Sequence, residues 1–334
     1  MARLLAIQAQ DPRGARLAIR VRATPGLTAE AVERALSDER SLVIDWLCRG
    51  TLHLVAVARE DHGWLHALTA PRQLAGSRRR LGQLGVSETV AQRAVATIAR
   101  SLADRGPLTR EQLRDQLRAA DLPTQGQALV HLLGLASQRG LIVRGPMVGA
   151  QHAFALVRDW LGEQPPVDRD RALAELARRY LAGHAPAGDH DLAKWSGLPL
   201  GEVRRGLAAV AGKLRRRADG LLEPATRATV PGLPPPRLLG AFDPVLHGWR
   251  SRALIVGEHA GVVTSNGLFR PIALVGGRAV ATWGMPGGKV VLAPFDELED
   301  RDAAALAIEA ADVERYLAAG SGRQPAITAK CQRL

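Results

Sequence analysis

One structural plan is written three times along this 334-residue chain: helix, short turn, helix, then a β-hairpin or a basic loop. A helix-turn-helix followed by a two-stranded wing is a winged helix, so the repeat points to an α+β fold of tandem winged-helix modules. The second copy is the clearest. Thr109 is the expected N-cap of a helix that follows Pro107-Leu108, and Thr124 is expected to open the next one, with Ala128, Leu129, Leu132, Leu133 and Leu135 as its apolar stripe. Segments 141–144 and 153–157 alternate as hairpin strands, with Gly145-Pro146 in the turn region. In the third copy, a helix over 168–181 places Leu173, Leu176, Ala177 and Tyr180 on one face. A second segment, 189–198, ends at Gly197, where a helix-turn-helix corner needs positive φ, and a helix over 200–211 follows. Arg215-Arg216-Arg217 stands at the place of the wing.

The first copy reads as shortened at its amino end. Asp11 caps a helix with Pro12 in its first position, running to about Arg22. A second helix covers 28–36, a hairpin 42–57 turns around Arg49-Gly50, and helices over 59–83 and 87–104 bridge to the second copy. Past the proline-rich link 231–236 the pattern turns from helical to alternating. Strands are expected at 260–264, 270–275, 279–283 and 289–292, with a hairpin turn at Gly276-Gly277 and an edge position for Pro271. A closing helix over 302–319 would turn Ala304, Leu306, Ala307, Ala311 and Leu317 inward, and the tail from Gly320 is expected to be loose. The resulting division is 1–84, 85–165 and 166–232 for the three modules and 233–334 for a small β-barrel-like module with its helix.

Charge narrows the partner. There are 45 basic residues against 33 acidic ones, a net charge of +12, and only Lys194, Lys213, Lys289 and Lys330 among the basic residues are lysines. The arginine fork suits phosphates and guanine edges, so a nucleic acid is the expected partner. Cys48 and Cys331 are too few and too far apart for zinc or a disulfide framework, which indicates a reducing cytoplasm, and a DNA partner would put the protein on the nucleoid. No secretory h-region or membrane-length apolar run is present. Neither is a phosphate-binding glycine loop or a Gly-x-Ser-x-Gly elbow, so no metal, nucleotide cofactor or other cofactor is expected, and the chain reads as a monomer.

Few residues are left to carry chemistry. Gln8 and Gln10 flank Ala9 directly before the Asp11 cap, and in an extended segment both amides point the same way. A carboxamide donates and accepts hydrogen bonds without ionising, which suits holding a water molecule. Strict alternation in Arg49-Gly50-Thr51-Leu52-His53-Leu54 places Arg49, Thr51 and His53 on one polar face, open to phosphate or water. Arg78, Arg79 and Arg80 fan around a helix, and Arg215, Arg216 and Arg217 sit where wings rest on DNA. In 242–252, Asp243 either caps a turn or pairs with Arg250 or Arg252, and those two arginines either pair or bind phosphate.

Taken in order, the Gln-Ala-Gln-Asp segment, Arg-Gly-Thr-Leu-His-Leu, three winged-helix plans and Phe-Asp-Pro-x-Leu before a strand module resemble the winged-helix DNA glycosylases that unhook interstrand crosslinks, the AlkZ/YcaQ-like superfamily. The resemblance spans about residues 3–318. It implies three tandem winged helices and a small β-barrel in a C-shaped clamp around duplex DNA. It also implies that Gln8 and Gln10, the two-glutamine version of the catalytic motif, hold the water that attacks the sugar carbon, with Thr51 and His53 in support. The expected activity is monofunctional, leaving an abasic site. The expected substrates are N7-alkylated purines, including crosslinks, because a cationic purine departs without a strong acid. The alternative is a non-catalytic winged-helix DNA-binding protein or transcriptional regulator, presenting 124–127 or the helix from Leu200 to a major groove.

Overall fold

The computed structural model describes residues 3–49, 54–148, 151–226 and 232–319. Its amino-terminal unit contains strand β1 (Ala6–Gln8), helices α1 (Pro12–Arg20) and α2 (Ala29–Ser37), and strands β2 (Leu42–Trp46) and β3 (Leu54–Ala58). The caps are those the side chains dictate. Asp11 accepts from Arg13 N at 3.0 Å with Pro12 at the first helical position, and Thr28 accepts from Ala31 N at 3.2 Å. Strand β1 pairs antiparallel with β3 in the register Ala6↔Val57 and Gln8↔Val55.

Two long helices, α3 (Arg59–Gln83) and α4 (Glu88–Arg105), lead to α5 (Arg110–Ala119), α6 (Ala128–Gln138), β4 (Ile142–Val148), β5 (Gln151–Leu156) and α7 (Val157–Leu161). Thr109 and Gln112 form a reciprocal capping box on α5. Thr124 does not open α6, which begins four residues later. The Thr124 hydroxyl instead accepts from Arg118 Nε at 3.3 Å, and the apolar stripe alone drives α6. Gly145-Pro146 is not the turn either. Both lie inside β4, where the pairing with β5 shifts register between Arg144 and Met147, and an irregularity of that kind accepts a residue without an N–H. A bridge between Ile44 and Arg144 joins the two hairpins into one five-stranded antiparallel sheet, order β1-β3-β2-β4-β5.

The next segment carries α8 (Arg169–His184), α9 (Asp189–Ser196) and α10 (Leu200–Ala209), then a short pair, β6 (Leu214–Arg216) and β7 (Leu222–Pro224). The last contains β8 (Arg237–Leu239), α11 (Ala253–Val256), β9 (Ile272–Val275), β10 (Arg278–Gly284), β11 (Val291–Pro294) and α12 (Asp300–Ala319). Its sheet is open and antiparallel, order β11-β10-β9-β8, among the described strands. Gly276 and Gly277 turn between β9 and β10 with φ of 54° and 80°. Strand β9 lies inside this sheet, so Pro271 is not on an edge strand. It precedes the paired stretch, and its carbonyl accepts from Trp283 N at 3.2 Å. Residues 260–262 form a 3-10 turn in place of a strand. Helix α12 buries Leu306, Glu309, Val313 and Tyr316, whereas Ala304, Ala307 and Ala311 are exposed. Alanine is too small to set a helix face when larger side chains compete.

The segments share cores. Leu5, Leu47, Val55 and Leu65 pack in one cluster with Leu176, Tyr180 and Trp195 from α8 and α9. Leu17 and Ala29 join the core of the carboxy-terminal sheet and α12. Arg20 bonds Glu309 at 3.0 Å and also pairs with Asp312, which latches α12 onto α1. A buried carboxylate, Asp45, fastens β2 to its helices. It accepts from His62 Nε2 at 2.9 Å, from Ser137 Oγ and from Trp46 N at 2.8 Å. Burial alone would raise its pKa, but these bonds hold it below 3.8. The serine bonds the aspartate here, not the histidine, and Asp45 is 0% exposed, so the group is a structural tie.

Candidate nucleic-acid interface and active site

Gln8 ends β1 with its side chain buried, 4% exposed, while Gln10 is exposed two residues on, just before the N-terminus of α1. The two amides thus flank one strand–helix junction, one buried and one exposed. The neighbouring carboxylate, Asp11, is committed to its own helix cap. Thr51 and His53 lie outside the described residues.

The carboxy-terminal segment closes on this junction. Gly14 of α1 lies so near Gly240 and the Ala241 carbonyl that a side chain there would collide with backbone. Phe242 follows with φ 58°, and its ring stacks on His247 at 6.1 Å; His247 in turn lies 4.1 Å from the Phe269 ring. Asp243 is fully buried and caps the 3-10 turn 244–246 through Val245 N at 2.9 Å. Its ion pair is with neither Arg250 nor Arg252. Arg22 takes both of its oxygens, at 2.6 and 2.9 Å, across 221 positions of sequence.

Arg49 is not on an extended strand: φ is 54°, after 60° at Cys48. Its Nε donates to the Trp195 carbonyl at 3.2 Å and one terminal nitrogen donates to His247 Nδ1 at 2.9 Å, so that ring carries its proton on Nε2. Arg49 N donates to Ser196 O at 3.1 Å beside Gly197, which ends α9 in the left-handed region at φ 75°. Burial lowers the Arg49 pKa. Arg49 is therefore a pivot joining three segments.

The remaining arginines divide by setting. Arg78, Arg79 and Arg80 are all exposed on α3, with Arg78 3.5 Å from Glu88 and Arg80 2.9 Å from Gln127. Arg215, Arg216 and Arg217 are exposed on the β6–β7 hairpin, steadied by Glu223, the Gly220 carbonyl and Asp219 respectively. Arg250 is exposed; Arg252 bonds the Leu246 carbonyl at 2.7 Å and lies over the Phe269 ring at 4.8 Å. Lys194, which the sequence reading passed over, donates to the Arg250 carbonyl at 3.3 Å. Its position on the polar face of α9 resembled ordinary helix surface; only the return of 249–252 brings it beside Arg250.

His184 anchors the junction from below, 2% exposed, stacked on Tyr180 at 4.7 Å and edge-on to Trp249 at 5.7 Å. Burial pushes its pKa down to about 4 from 6.5. Between those values the unfolded chain binds a proton that the folded one refuses. Its contribution to stability is therefore intact above pH 6.5 and lost as the pH falls toward 4, roughly 3 kcal/mol in all. The unfolding midpoint of the protein should drop across that range, and His184→Asn, though less stable at pH 7, should show a flatter slope. An equal slope in the variant would remove His184 as the cause.

Among the described residues, no group of three His, Cys, Asp or Glu side chains could hold a metal ion, and no helix is long and apolar enough to cross a membrane. The mixed α/β fold, with its antiparallel sheets and exposed arginines, sets the frame in which the comparisons are read. The profile described as DNA glycosylase AlkZ-like matches residues 1–316, and the chain belongs to that family of DNA glycosylases. Its fold is similar to that of the Streptomyces sahachiroi DNA glycosylase AlkZ, with a TM-score of 0.73 and 24% identity over 97% of this chain and 91% of that one. A further likeness, 35% identity over 137 residues, is to a tRNA(Ile)-lysidine synthase of Mesorhizobium japonicum (strain LMG 29417 / CECT 9101 / MAFF 303099). It covers 40% of this chain and 25% of that protein, so the chain spans about a quarter of the relative's length.

Proposed function

We propose that this glycosylase hydrolyses the N-glycosidic bond of N7-alkylated purines in duplex DNA, interstrand crosslinks included, with Gln8 and Gln10 positioning the attacking water. The observation that carries the reading is that a buried and an exposed carboxamide lie two residues apart where β1 gives way to α1, beside a carboxylate already committed to a cap. Neutral amides orient water and stabilise an oxocarbenium-like sugar, but do not supply a strong acid. They suit a purine whose positive charge already weakens its bond.

In this reading the helix pairs with their hairpins are three winged helices, divided at about residues 84, 165 and 232, and together with the last segment they form a clamp on DNA. The exposed Arg78, Arg79, Arg80, Arg215, Arg216, Arg217 and Arg250 contact phosphates, and Arg252 and Arg49 hold the floor between them. Thr51 and His53 complete the water site. The protein acts as a monomer on the nucleoid, without a cofactor.

The test is a duplex carrying one N7-methylguanine, and a second carrying a nitrogen-mustard crosslink. Alkali-labile sites should form at the adducts and at no normal base. Affinity should fall steeply with salt, as it does when several phosphates are neutralised. Tight binding without abasic sites would favour a regulator instead.

A further inference from the structure

Arg144 of β4 is half-buried, and among the described residues it makes no ion pair and no hydrogen bond. Its guanidinium lies 4.3 Å over the Phe154 ring and 5.1 Å over the Trp46 ring. Stacking covers the faces of the fork but satisfies none of its in-plane N–H donors, and Nε is shut off from solvent with no acceptor. Elsewhere the chain answers such charges with carboxylates: Arg16 pairs with Glu33, Arg20 with Glu309 at 3.0 Å, Arg22 with Asp243 at 2.6 Å and Arg179 with Asp61 at 2.8 Å. Asp45, on the adjoining β2, is already committed to His62, Ser137 and Trp46 N. Topology brings two further arginines to this face. Leu108 exchanges both backbone hydrogen bonds with Phe154, at 2.7 and 3.1 Å, and Arg144 faces Phe154 from the other side. Residues opposite one another across strands point the same way from the sheet. Thr109 is extended, so Arg110 follows Leu108 onto that side as the first residue of α5. Arg110 and Arg114, one turn apart, share a helix face with the fully buried Leu113 and Leu117, and both are half-buried. Neither forms an ion pair among the described residues, and Arg110 Nε is also buried without an acceptor. Glu111, in the same turn, is exposed and pairs with neither.

We propose that Arg144, Arg110 and Arg114 form a binding site for one phosphate group, which the backbone of the bound duplex supplies. The proposal rests on the protein's action on DNA, and not on which base it releases or on Gln8 and Gln10. An unpaired guanidinium in a half-buried setting costs stability, and the cost is recovered when an anion brings the missing acceptors. A phosphodiester carries its charge on a pair of oxygens that the arginine fork meets with parallel hydrogen bonds. Trp46 and Phe154 hold the Arg144 fork in one orientation before the phosphate arrives, so little side-chain freedom is lost on binding. Burial first, and then the charge of Arg110, hold the Arg144 pKa down to about 10, against the opposing charge of Asp45, so the group stays cationic at neutral pH. A contact of this kind fixes α5 and the β4–β5 hairpin on the duplex without reading a base.

The experiment uses the full chain and an unmodified duplex, with Arg144→Met and Arg110→Met, which keep an apolar stem and remove the charge. Affinity should fall about five-fold or more in each, and the slope of log K against log salt should become shallower by roughly one. Arg178→Met, which removes an exposed arginine paired with Glu175, should keep the wild-type affinity and slope. Inorganic phosphate supplies a second readout. At fixed ionic strength, replacing chloride by phosphate should raise the unfolding midpoint of the wild type more than that of Arg144→Met. Should Arg144→Met fail to fold, Arg110→Met decides by the same two measures. Wild-type affinity and slope in the variants overturn the site. A phosphate effect that the variants lose, with duplex binding untouched, means that the site takes free phosphate, and overturns the backbone assignment. Either result leaves the release of alkylated bases standing, whereas a wild type that binds no duplex overturns both.

Discussion

Replacing Gln8 with Ala is expected to lower the single-turnover rate of base excision by about 10²–10³-fold, the usual loss when one preorganised hydrogen-bonding group is removed from a site of developing charge. Duplex affinity should stay within about two-fold, because the phosphate contacts that dominate it lie on other residues. The size of the effect follows from burial. Gln8 is paired through its backbone in the β1–β3 ladder and is 4% exposed, so packing restricts its amide before substrate arrives. Gln10 is exposed and its amide is less constrained, so Gln10→Ala should cost less, roughly ten-fold. Equal losses in the two variants would mean that both glutamines act as one unit. Loss of affinity in step with rate would mean that Gln8 supports binding, not chemistry.

The largest stability effect is expected at Gly197. A Cβ there would lie 2.6 Å from Arg49 N and 2.7 Å from Arg49 Cα, both backbone atoms that cannot swing aside, and φ of 75° already disfavours any side chain. Gly197→Ala should therefore cost about 3 kcal/mol or more, seen as a fall in the unfolding midpoint of roughly 6–12 °C. It should also weaken base excision, since the displaced Arg49 would lose the Trp195 carbonyl and His247 together. Gly76 is the control. It lies inside α3 with nothing within 4 Å of the added methyl, and Gly76→Ala should be neutral or stabilising by up to about 1 kcal/mol. A Gly197→Ala protein as stable as the wild type would show that the corner and the Arg49 turn are not in contact.

Much of this architecture could be read locally. Asp11 with Pro12, Thr109 with Gln112, and Gly197 at a helix end each carry a cap or corner within at most four consecutive residues, and each forms as the local chemistry requires. The misreadings came where a local signal met a stronger distant one. Thr124 resembled a cap but bonds Arg118; Gly145-Pro146 resembled a turn but is absorbed in a strand irregularity. The alanine-rich α12 could not be phased without its partners Leu17 and Ala29.

The candidate site was legible to a lesser degree. Gln8 and Gln10 stood out because little else in the chain offered chemistry. The partners of Asp243 and Arg49 lie 221 and 146 or more positions away, beyond any periodicity, and Lys194 meets the Arg250 carbonyl only because 249–252 folds back over α9. Contacts that close a site across modules leave no pattern in the sequence near either partner.

The most direct test of the central claim is release of free base from a duplex with a single N7-methylguanine, followed under single turnover for the wild type and for the Gln8→Ala, Gln10→Ala double variant at matched occupancy. The wild type should release N7-methylguanine and leave an abasic site, and the double variant should bind equally while releasing base no faster than the uncatalysed duplex. Release at the wild-type rate by the double variant, or a wild type that binds and releases nothing, would contradict the assignment of the two glutamines.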